Sequence, residues 1–150
     1  MEFDKDVGRL QRLMAASIAG INRRQAILET LSINSGDRII DVGCGAGQLL
    51  GHLAKAVGEH GEVIGLDPSA DQLAQAKSSC SDFSNITFLE KGADKTGLPD
   101  DNCDAATSTQ ALEYIPDVDA ALAEITRVLK PGGSLVNVSI LWDHFRFHGA

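Results

Sequence analysis

The sequence has little cysteine, and its cysteines are not arranged for disulfide or metal chemistry. Cys44, Cys80 and Cys103 are an odd number, lie far apart and form no CxxC pair. Small disulfide-stabilised domains use even and more closely spaced sets. The four histidines do not cluster with the cysteines, so the pattern predicts no zinc site. We therefore expect a reduced, cytoplasmic protein with free thiols.

Positive charge and long apolar runs are also scarce. The chain has 13 Lys and Arg against 21 Asp and Glu, a net charge of -8. That balance argues against a nucleic-acid backbone or an anionic membrane surface as partner. No apolar run approaches the ~20 residues that span a bilayer. Residues 1–6 are charged and lack the apolar segment of a signal peptide. We expect no nucleic-acid partner and no membrane span.

Short apolar runs that alternate with helical patterns are abundant in this sequence. Its 150 residues, 43% of them hydrophobic, suit one domain with a single core. The predicted strands are 38–42, 62–66, 86–89, 104–108 and 134–140. Helices are predicted at 10–18, 22–31, 48–57, from 69 to about 79, and from 116 to 128. This alternation is typical of an α/β doubly wound, mostly parallel sheet with helices on both faces.

Two breaks are predicted in the helical pattern. Gly20 is expected to interrupt the first helical stretch, so that the next helix begins at about Asn22, its predicted cap. Further along, the Lys-Pro-Gly-Gly segment at 130–133 is expected to end the last helix in a sharp turn before strand five.

A glycine-rich segment at 41–47, Asp-Val-Gly-Cys-Gly-Ala-Gly, follows the first predicted strand and enters a helix. Glycine permits positive φ and lets a ligand lie against bare backbone. Open α/β sheets bind ligands outside the carboxyl ends of their strands, near the switch in strand order. The spacing here is GxGxG. Dinucleotide sites have GxGxxG instead, and that spacing places a pyrophosphate on the helix N-terminus. A tight strand–helix connection without a ligand is the alternative.

Asp67 ends the second predicted strand. A carboxylate at that place can accept hydrogen bonds from both hydroxyls of a ribose. The alternative is a helix N-cap, and the two roles are compatible. Neither feature alone separates a nicotinamide cofactor from an adenosyl sulfonium. Together the loop and Asp67 indicate an adenosine-containing ligand.

Four segments, in this order, resemble the motifs of class I S-adenosylmethionine-dependent methyltransferases: 41–47, 63–67, 92–104 and 129–135. The closest similarity is to the small-molecule group that includes the ubiquinone and menaquinone biosynthesis enzymes. The resemblance implies a Rossmann-like sheet of order 3-2-1-4-5 and S-adenosyl-L-methionine as cofactor. It also implies methyl transfer to a small-molecule acceptor by in-line displacement.

The resemblance implies roles for the residues of the first motif. Gly43, Gly45 and Gly47 would pass under the methionine and ribose portions of the cofactor. Asp41 would help hold the methionine amino group, through water, and Cys44 would border the cofactor within the same loop.

The later motifs imply the rest of the cofactor site. Asp67 would take the ribose hydroxyls, with Pro68 or Ser69 beside the adenine. Asp94 would accept from the adenine amino group, with the backbone of Ala93 or Lys95 nearby. Ala93 departs from the glycine that the family often has there, and Asp94 is alternatively an exposed loop carboxylate. The segment Ser108-Thr109-Gln110 would face the methionine end.

Transfer from a sulfonium mainly requires alignment of nucleophile, methyl and sulfur. A general base is needed only if the acceptor is protonated, so the sequence identifies no catalytic residue. Gln110, Glu113 and Tyr114 could touch an acceptor or could be polar positions at a helix start. His144 and His148 lie four apart, but without a third ligand we predict no metal there.

The resemblance divides the chain into an N-terminal helical segment, 1–34, and a cofactor-binding core, 35–150. The family sheet continues with two more strands, in the order 3-2-1-4-5-7-6, which we expect this chain to lack. Strand five would then have an unpaired edge, with Leu135, Val136 and Val138, that favours self-association. The alternatives to an enzyme of this family are a non-catalytic adenosylmethionine-binding module and a nicotinamide-dependent oxidoreductase. The acceptor and its reacting atom stay open.

Overall fold

A computed structural model describes residues 9, 10, 13, 14 and 16–139. The helices are α1 (Ile18–Leu31), α2 (Leu50–Val57), α3 (Ala70–Ser79) and α4 (Val118–Val128), with a 3-10 turn at Leu112–Tyr114. The strands are β1 (Arg38–Val42), β2 (Glu62–Leu66), β3 (Ile86–Leu89), β4 (Cys103–Thr109) and β5 (Leu129–Val138). All four strand pairs are parallel, in the order β3-β2-β1-β4-β5. The predicted doubly wound sheet is confirmed.

Two apolar clusters cover the two faces of the sheet. One joins Ile39, Val63 and Ala105 to buried side chains of α1, α2 and α3. The other joins Ile40 and Ile64 to buried side chains of α4. The division follows from strand geometry, because successive side chains point to opposite faces. Helices therefore cover both faces, and the polar loops are left at the two ends of the strands.

The start of α1 differs from the prediction. Gly20 does not interrupt the helix, and Asn22 is not its cap. The Ser17 hydroxyl accepts a hydrogen bond from the Gly20 amide at 3.1 Å and caps a helix that begins at Ile18. A side-chain cap contributes about 1 kcal/mol. That offsets the cost of about 1 kcal/mol for a glycine within a helix.

The beginning of β5 also differs from the prediction. Pairing with β4 starts at Leu129, opposite Cys103, and resumes with Ser134 opposite Ala105. The segment 130–133 is therefore accommodated as an irregularity within the strand, where we expected a turn before it. Gly132 has a φ of 82°, and a Cβ at Gly133 would lie 2.9 Å from the Asp104 carbonyl oxygen. Glycine permits both the positive φ and the close backbone approach.

Among the described residues, no helix has both the length and the apolar character needed to span a membrane.

Candidate functional site

The candidate site lies at the carboxyl ends of the parallel strands. β1 lies between β2 and β4, so the chain order reverses on either side of β1. At such a switch point the loops that leave neighbouring strands diverge and leave a crevice. The loops that follow β1, β2 and β4 meet there.

The glycine-rich loop turns from β1 over the end of β2. The Gly43 and Cys44 amides both donate to the Leu66 carbonyl oxygen, at 2.8 and 3.0 Å. Gly43, Gly45 and Gly47 all have positive φ, of 74°, 53° and 86°. L-residues with side chains rarely adopt this conformation, so the turn itself requires glycine at these three places.

The three glycines have different neighbours. A Cβ at Gly43 would lie 2.3 Å from the Ala111 Cβ, and a Cβ at Gly47 would lie 3.1 Å from the Ala76 Cβ. At Gly45 the nearest atom within 4 Å is the Gln72 Oε1, at 3.7 Å. Gly43 and Gly47 therefore pack directly against protein. Gly45 presents the bare face of the loop that is open to a ligand.

Asp67 joins the glycine-rich loop to the start of α3. Its Oδ2 accepts from the Gly45 amide at 3.0 Å and its Oδ1 accepts from the Ser69 amide at 2.9 Å. The N-cap of α3 is Ser69, whose hydroxyl accepts from the Gln72 amide at 3.3 Å. Asp67 is thus not the cap of α3, and each carboxylate oxygen keeps a further lone pair that can accept a ligand hydroxyl.

Asp41 supplies a buried carboxyl next to this loop. Its side chain lies at the end of β1 and is 3% exposed. Burial, followed by the nearby negative charge of Asp67, raises the pKa of Asp41 to about 7. Among the described residues, no ion pair neutralises it. A ligand that brings a positive charge to this carboxyl would stabilise its ionised form.

Consecutive hydroxyls line the end of β4. Thr107 and Ser108 are fully buried, and Thr109 has a buried Oγ1. The hydroxyl oxygens of all three lack a hydrogen-bond partner among the described residues. Thr107 is the register partner of Asp41, so both side chains point to the same face of the sheet, and Ser108 points to the other. Buried polar groups are normally hydrogen-bonded, so these three hydroxyls at the end of β4 are available to bond a ligand.

The segment after β4 crosses over the glycine-rich loop. Gln110 has a φ of 53°, and its amide donates to the Val138 carbonyl oxygen at 2.7 Å. This left-handed residue turns the chain so that Ala111 lies against Gly43. Glu113 and Tyr114 follow in the 3-10 turn, both exposed. Their contact with an acceptor stays a prediction.

The residues predicted on the adenine side of the site differ in their exposure to solvent. Ala93 is buried in the cluster that contains Ile64 and Leu66. Asp94 and Pro68 are exposed. The adenine role of Asp94 stays a prediction.

The thiols near the loop are structural. Cys44 Sγ donates weakly to the Gly45 carbonyl oxygen and Cys80 Sγ to the Gly47 carbonyl oxygen, each at 3.7 Å. Burial raises the pKa of both thiols, which keeps them protonated and poorly nucleophilic. The described part of the chain contains no group of His, Cys, Asp and Glu that could hold a metal. His144 and His148 lie outside the described residues.

Sequence reasoning missed Thr107, Ala111 and Ala76. The signal for Thr107 was a hydroxyl residue in a buried strand, one place before the predicted Ser108. Ala111 and Ala76 are small residues whose proximity to the glycines depends on the packing of distant segments. Spacing along the chain does not reveal that proximity.

Comparison with known proteins identifies the family of this arrangement. A family model described as "Methyltransferase domain" matches residues 40–137. The chain is 37% identical over 113 residues to the demethylmenaquinone methyltransferase of Staphylococcus saprophyticus, which covers 75% of this chain and 48% of that protein. The chain thus spans about half the length of that curated relative.

Solved structures share the fold. A SAM-dependent methyltransferase from Aquifex aeolicus superposes with a TM-score of 0.82 over 99% of this chain and 79% of that chain, at 24% identity. An arsenic(III) S-adenosylmethionine methyltransferase from Chlamydomonas reinhardtii gives a TM-score of 0.65 at 34% identity, over 69% of this chain and 38% of that chain.

Proposed function

The chain belongs to the S-adenosylmethionine-dependent methyltransferase family, and from that premise we propose that it binds S-adenosyl-L-methionine at the carboxyl ends of β1, β2 and β4. The observation that carries the proposal is the Asp67 carboxylate held 3.0 Å from the Gly45 amide. This contact places a carboxylate, which can accept hydrogen bonds from ligand hydroxyls, next to the uncovered backbone of Gly45.

The residues present are compatible with this cofactor. Gly45 leaves backbone uncovered where a Cβ would meet only the end of the Gln72 side chain, 3.7 Å away. Asp41 is a buried carboxyl without an ion-pair partner among the described residues, and the methionine portion carries an ammonium group. Asp67 by itself is compatible with the ribose of either ligand. The buried Asp41 carboxyl beside the loop and the GxGxG spacing of that loop favour a nucleoside that carries an ammonium group over a dinucleotide.

We assign the binding roles as follows. Asp67 accepts from the ribose hydroxyls, and Gly43, Gly45 and Gly47 provide the loop backbone, with Cys44 between the first two. Asp41 supports the methionine amino group, and Ser108 and Gln110 border the methionine end. Pro68 and Asp94, with the backbone of Ala93, lie on the adenine side.

When bound, the cofactor supplies an electrophilic methyl group on a sulfonium for in-line displacement. The protein aligns the acceptor with that methyl group and excludes water, which is the larger part of such catalysis. Backbone dipoles of the glycine-rich loop and the segment after β4 surround the site. Burial keeps the Cys44 thiol protonated, so we assign it no nucleophilic role.

We propose a small molecule as the methyl acceptor. Support comes from the named activities of two similar proteins, one acting on demethylmenaquinone and one on arsenic(III). Their acceptors differ, which leaves the reacting atom of the acceptor of this chain to experiment.

Turnover and binding together test the proposed function. We expect the chain to transfer labelled methyl from S-adenosylmethionine to at least one member of a panel of quinols, phenols, thiols and arsenite. Asp67→Ala should weaken S-adenosylhomocysteine binding by about 1–3 kcal/mol, because the ribose hydroxyls lose a charged acceptor.

Asp82→Ala, an exposed carboxylate in the turn after α3, is the matched control and should bind like the unmodified chain. Binding without transfer to any acceptor would instead favour the non-catalytic module. An Asp67→Ala variant with unchanged affinity would remove Asp67 from the site.

We propose four further properties. The chain divides into an N-terminal segment, 1–34, whose described part contains α1, and a core, 35–150, which includes the family match at 40–137. Cytoplasmic location is supported by the three free, buried cysteines, and the absence of a nucleic-acid partner by the net charge of -8. Self-association through β5 is supported by its pairing with β4 alone among the described residues.

A further inference from the structure

The end of β4 contains an unexplained buried hydroxyl beside a buried acid. Thr107 is 0% exposed and Asp41 is 3% exposed. The two are register partners on adjacent parallel strands, so their backbones lie about 4.8 Å apart with both side chains on one face. The Thr107 Oγ1 has no hydrogen-bond partner among the described residues. A Val would fill the same volume without an unpaired hydroxyl, so apolar packing does not account for threonine here.

We propose that Thr107 is a positioning residue for Asp41, and that the pair couples cofactor loading to release of one proton. The inference rests on the proposed function, because the ammonium group that displaces the proton belongs to the methionine portion of the cofactor. Thr107 faces Asp41 across the β1–β4 pair and does not reach the reacting atoms. Its hydroxyl has no hydrogen-bond partner among the described residues, so it is available to turn to the carboxylate when Asp41 ionises, and a donor stabilises that form.

The proton balance is simple. In the free protein Asp41 is a carboxylic acid below about pH 7, since burial and the charge of Asp67 raise its pKa to about 7. When the ammonium group binds, the Asp41 O–H bond breaks, the proton passes to solvent, and a carboxylate–ammonium pair forms. No electron transfer or co-reactant is required.

The charged and titratable neighbours of Asp41 are compatible with this coupling. Asp67, at the end of β2, raises the pKa of Asp41. Cys44, in the glycine-rich loop, stays protonated because burial raises its own pKa. The flanking register partner on β2 is Gly65, and Val136 of β5 lies beyond Thr107, so neither position carries a titratable group. Thr107 is the polar side chain that β4 places beside Asp41 on this face.

Calorimetry with S-adenosylhomocysteine in buffers of different ionisation enthalpy measures the coupling. We expect binding to release nearly one proton at about pH 5.5 and nearly none from this site at about pH 8. The dissociation constant should rise about tenfold for each pH unit below about 7. Asp41→Asn should abolish the release and flatten the profile.

Thr107→Val tests the positioning role. Without the donor the pKa of Asp41 rises further, so the midpoint of proton release should move upward by about half to one pH unit. Thr107→Ser, which keeps a hydroxyl, should restore the original midpoint. Thr126→Val makes the same chemical change on an exposed face of α4 and should leave the profile unchanged.

The outcomes separate the two proposals. Tight binding without proton release, or a Thr107→Val profile that matches the unmodified chain, would overturn this inference and leave the proposed function standing. Failure of S-adenosylhomocysteine to bind the folded chain at any pH would overturn both. Thermal unfolding of the free Thr107→Val chain at or above the original Tm would show that any affinity change is not caused by misfolding.

Discussion

Gly43 and Gly45 both have positive φ, but the surroundings require glycine at the two positions for different reasons. Gly43→Ala would place a Cβ 2.3 Å from the Ala111 Cβ, so the two segments must move apart. We expect a loss of about 1–3 kcal/mol in the free energy of unfolding, the cost typical of overpacking. Gly45→Ala meets no atom closer than 3.7 Å. It should cost about 1 kcal/mol of backbone strain and mainly weaken S-adenosylhomocysteine binding.

Chemical denaturation and calorimetry distinguish these effects. Combining Gly43→Ala with Ala111→Gly removes the clashing methyl group and should recover part of the lost stability. If the double variant were no more stable than Gly43→Ala, the Ala111 contact would not be the reason for glycine at 43.

At the scale of single residues, much of the candidate site could be predicted from the sequence, but the contacts between residues distant in sequence could not. The spacing of Gly43, Gly45 and Gly47 and the place of Asp67 at a strand end are local in sequence. The partner of Gly43, Ala111, lies 68 residues further along and is brought there by the pairing of β1 with β4. The role of Thr107 likewise depends on register, which the sequence of β4 alone does not specify.

A polar network anchors the loop after β3 to α4. Glu124 Oε1 accepts from the Thr96 amide at 2.8 Å and from the Thr96 hydroxyl at 2.7 Å. Arg127 Nε donates to Glu124 Oε2 at 2.8 Å, and Arg127 also donates to the Leu98 carbonyl oxygen at 2.8 Å. These contacts anchor the segment that continues from Asp94, which is the adenine side of the proposed site.

The network predicts a stability change in acid. The Arg127 hydrogen bond, with those from Thr96, lowers the pKa of Glu124 from 4.5 to about 2. A carboxyl whose pKa is depressed in the folded state stabilises it above pH 4.5, and this stability is lost as the pH falls through about 2. Glu124→Gln should cost about 2 kcal/mol at neutral pH, the range for hydrogen bonds to charged groups.

Urea denaturation across this pH range checks the prediction. The difference in the free energy of unfolding between Glu124→Gln and the unmodified chain should shrink towards zero as the pH approaches 2. Glu59→Gln, on a side chain that is 87% exposed, serves as the control. A difference that stayed constant from neutral pH to about pH 2 would show that the Glu124 charge does not stabilise the fold.

Element boundaries were predictable where turn residues bound both ends. β1, β2 and β3 coincide with the predicted ranges, and β4 extends one residue further at each end. The predictions for the start of α1 and the first half of β5 are wrong, because Gly20 and the segment 130–133 do not break these elements. In the structure the Ser17 cap and the irregular pairing with β4 accommodate these residues.

At the scale of the molecule, β5 is an edge strand among the described residues. Leu135, Val136 and Val138 are half-buried there, and beside them runs an apolar groove lined by Leu112, Ile115, Val118 and Leu122. Unpaired apolar edges favour strand addition by a second copy. Light scattering after size exclusion should therefore show a mass above that of one 15.9 kDa chain.

Asn137→Lys should reduce this association, because a charged side chain on an edge strand opposes pairing. Thr126→Lys adds the same charge on the exposed face of α4 and is the control for net charge. A single monomeric species at every concentration for the unmodified chain would contradict self-association.

The family and the fold agree with the sequence at this scale, while the acceptor does not follow from either. In the proposed site, cofactor binding uses the backbone of the glycine-rich loop and two acids, whose places the fold determines. Glu113 and Tyr114, the side chains predicted to contact the acceptor, are exposed, so the fold does not specify what they recognise.

The most direct test is a calorimetric titration of the folded chain with S-adenosylhomocysteine, set beside an identical titration with NAD. The account predicts saturable binding of the thioether nucleoside and none of the dinucleotide, because the buried Asp41 favours an ammonium group and the loop lacks the GxGxxG spacing that holds a pyrophosphate. Binding of NAD in place of S-adenosylhomocysteine, or no binding of S-adenosylhomocysteine at millimolar concentration, would contradict it.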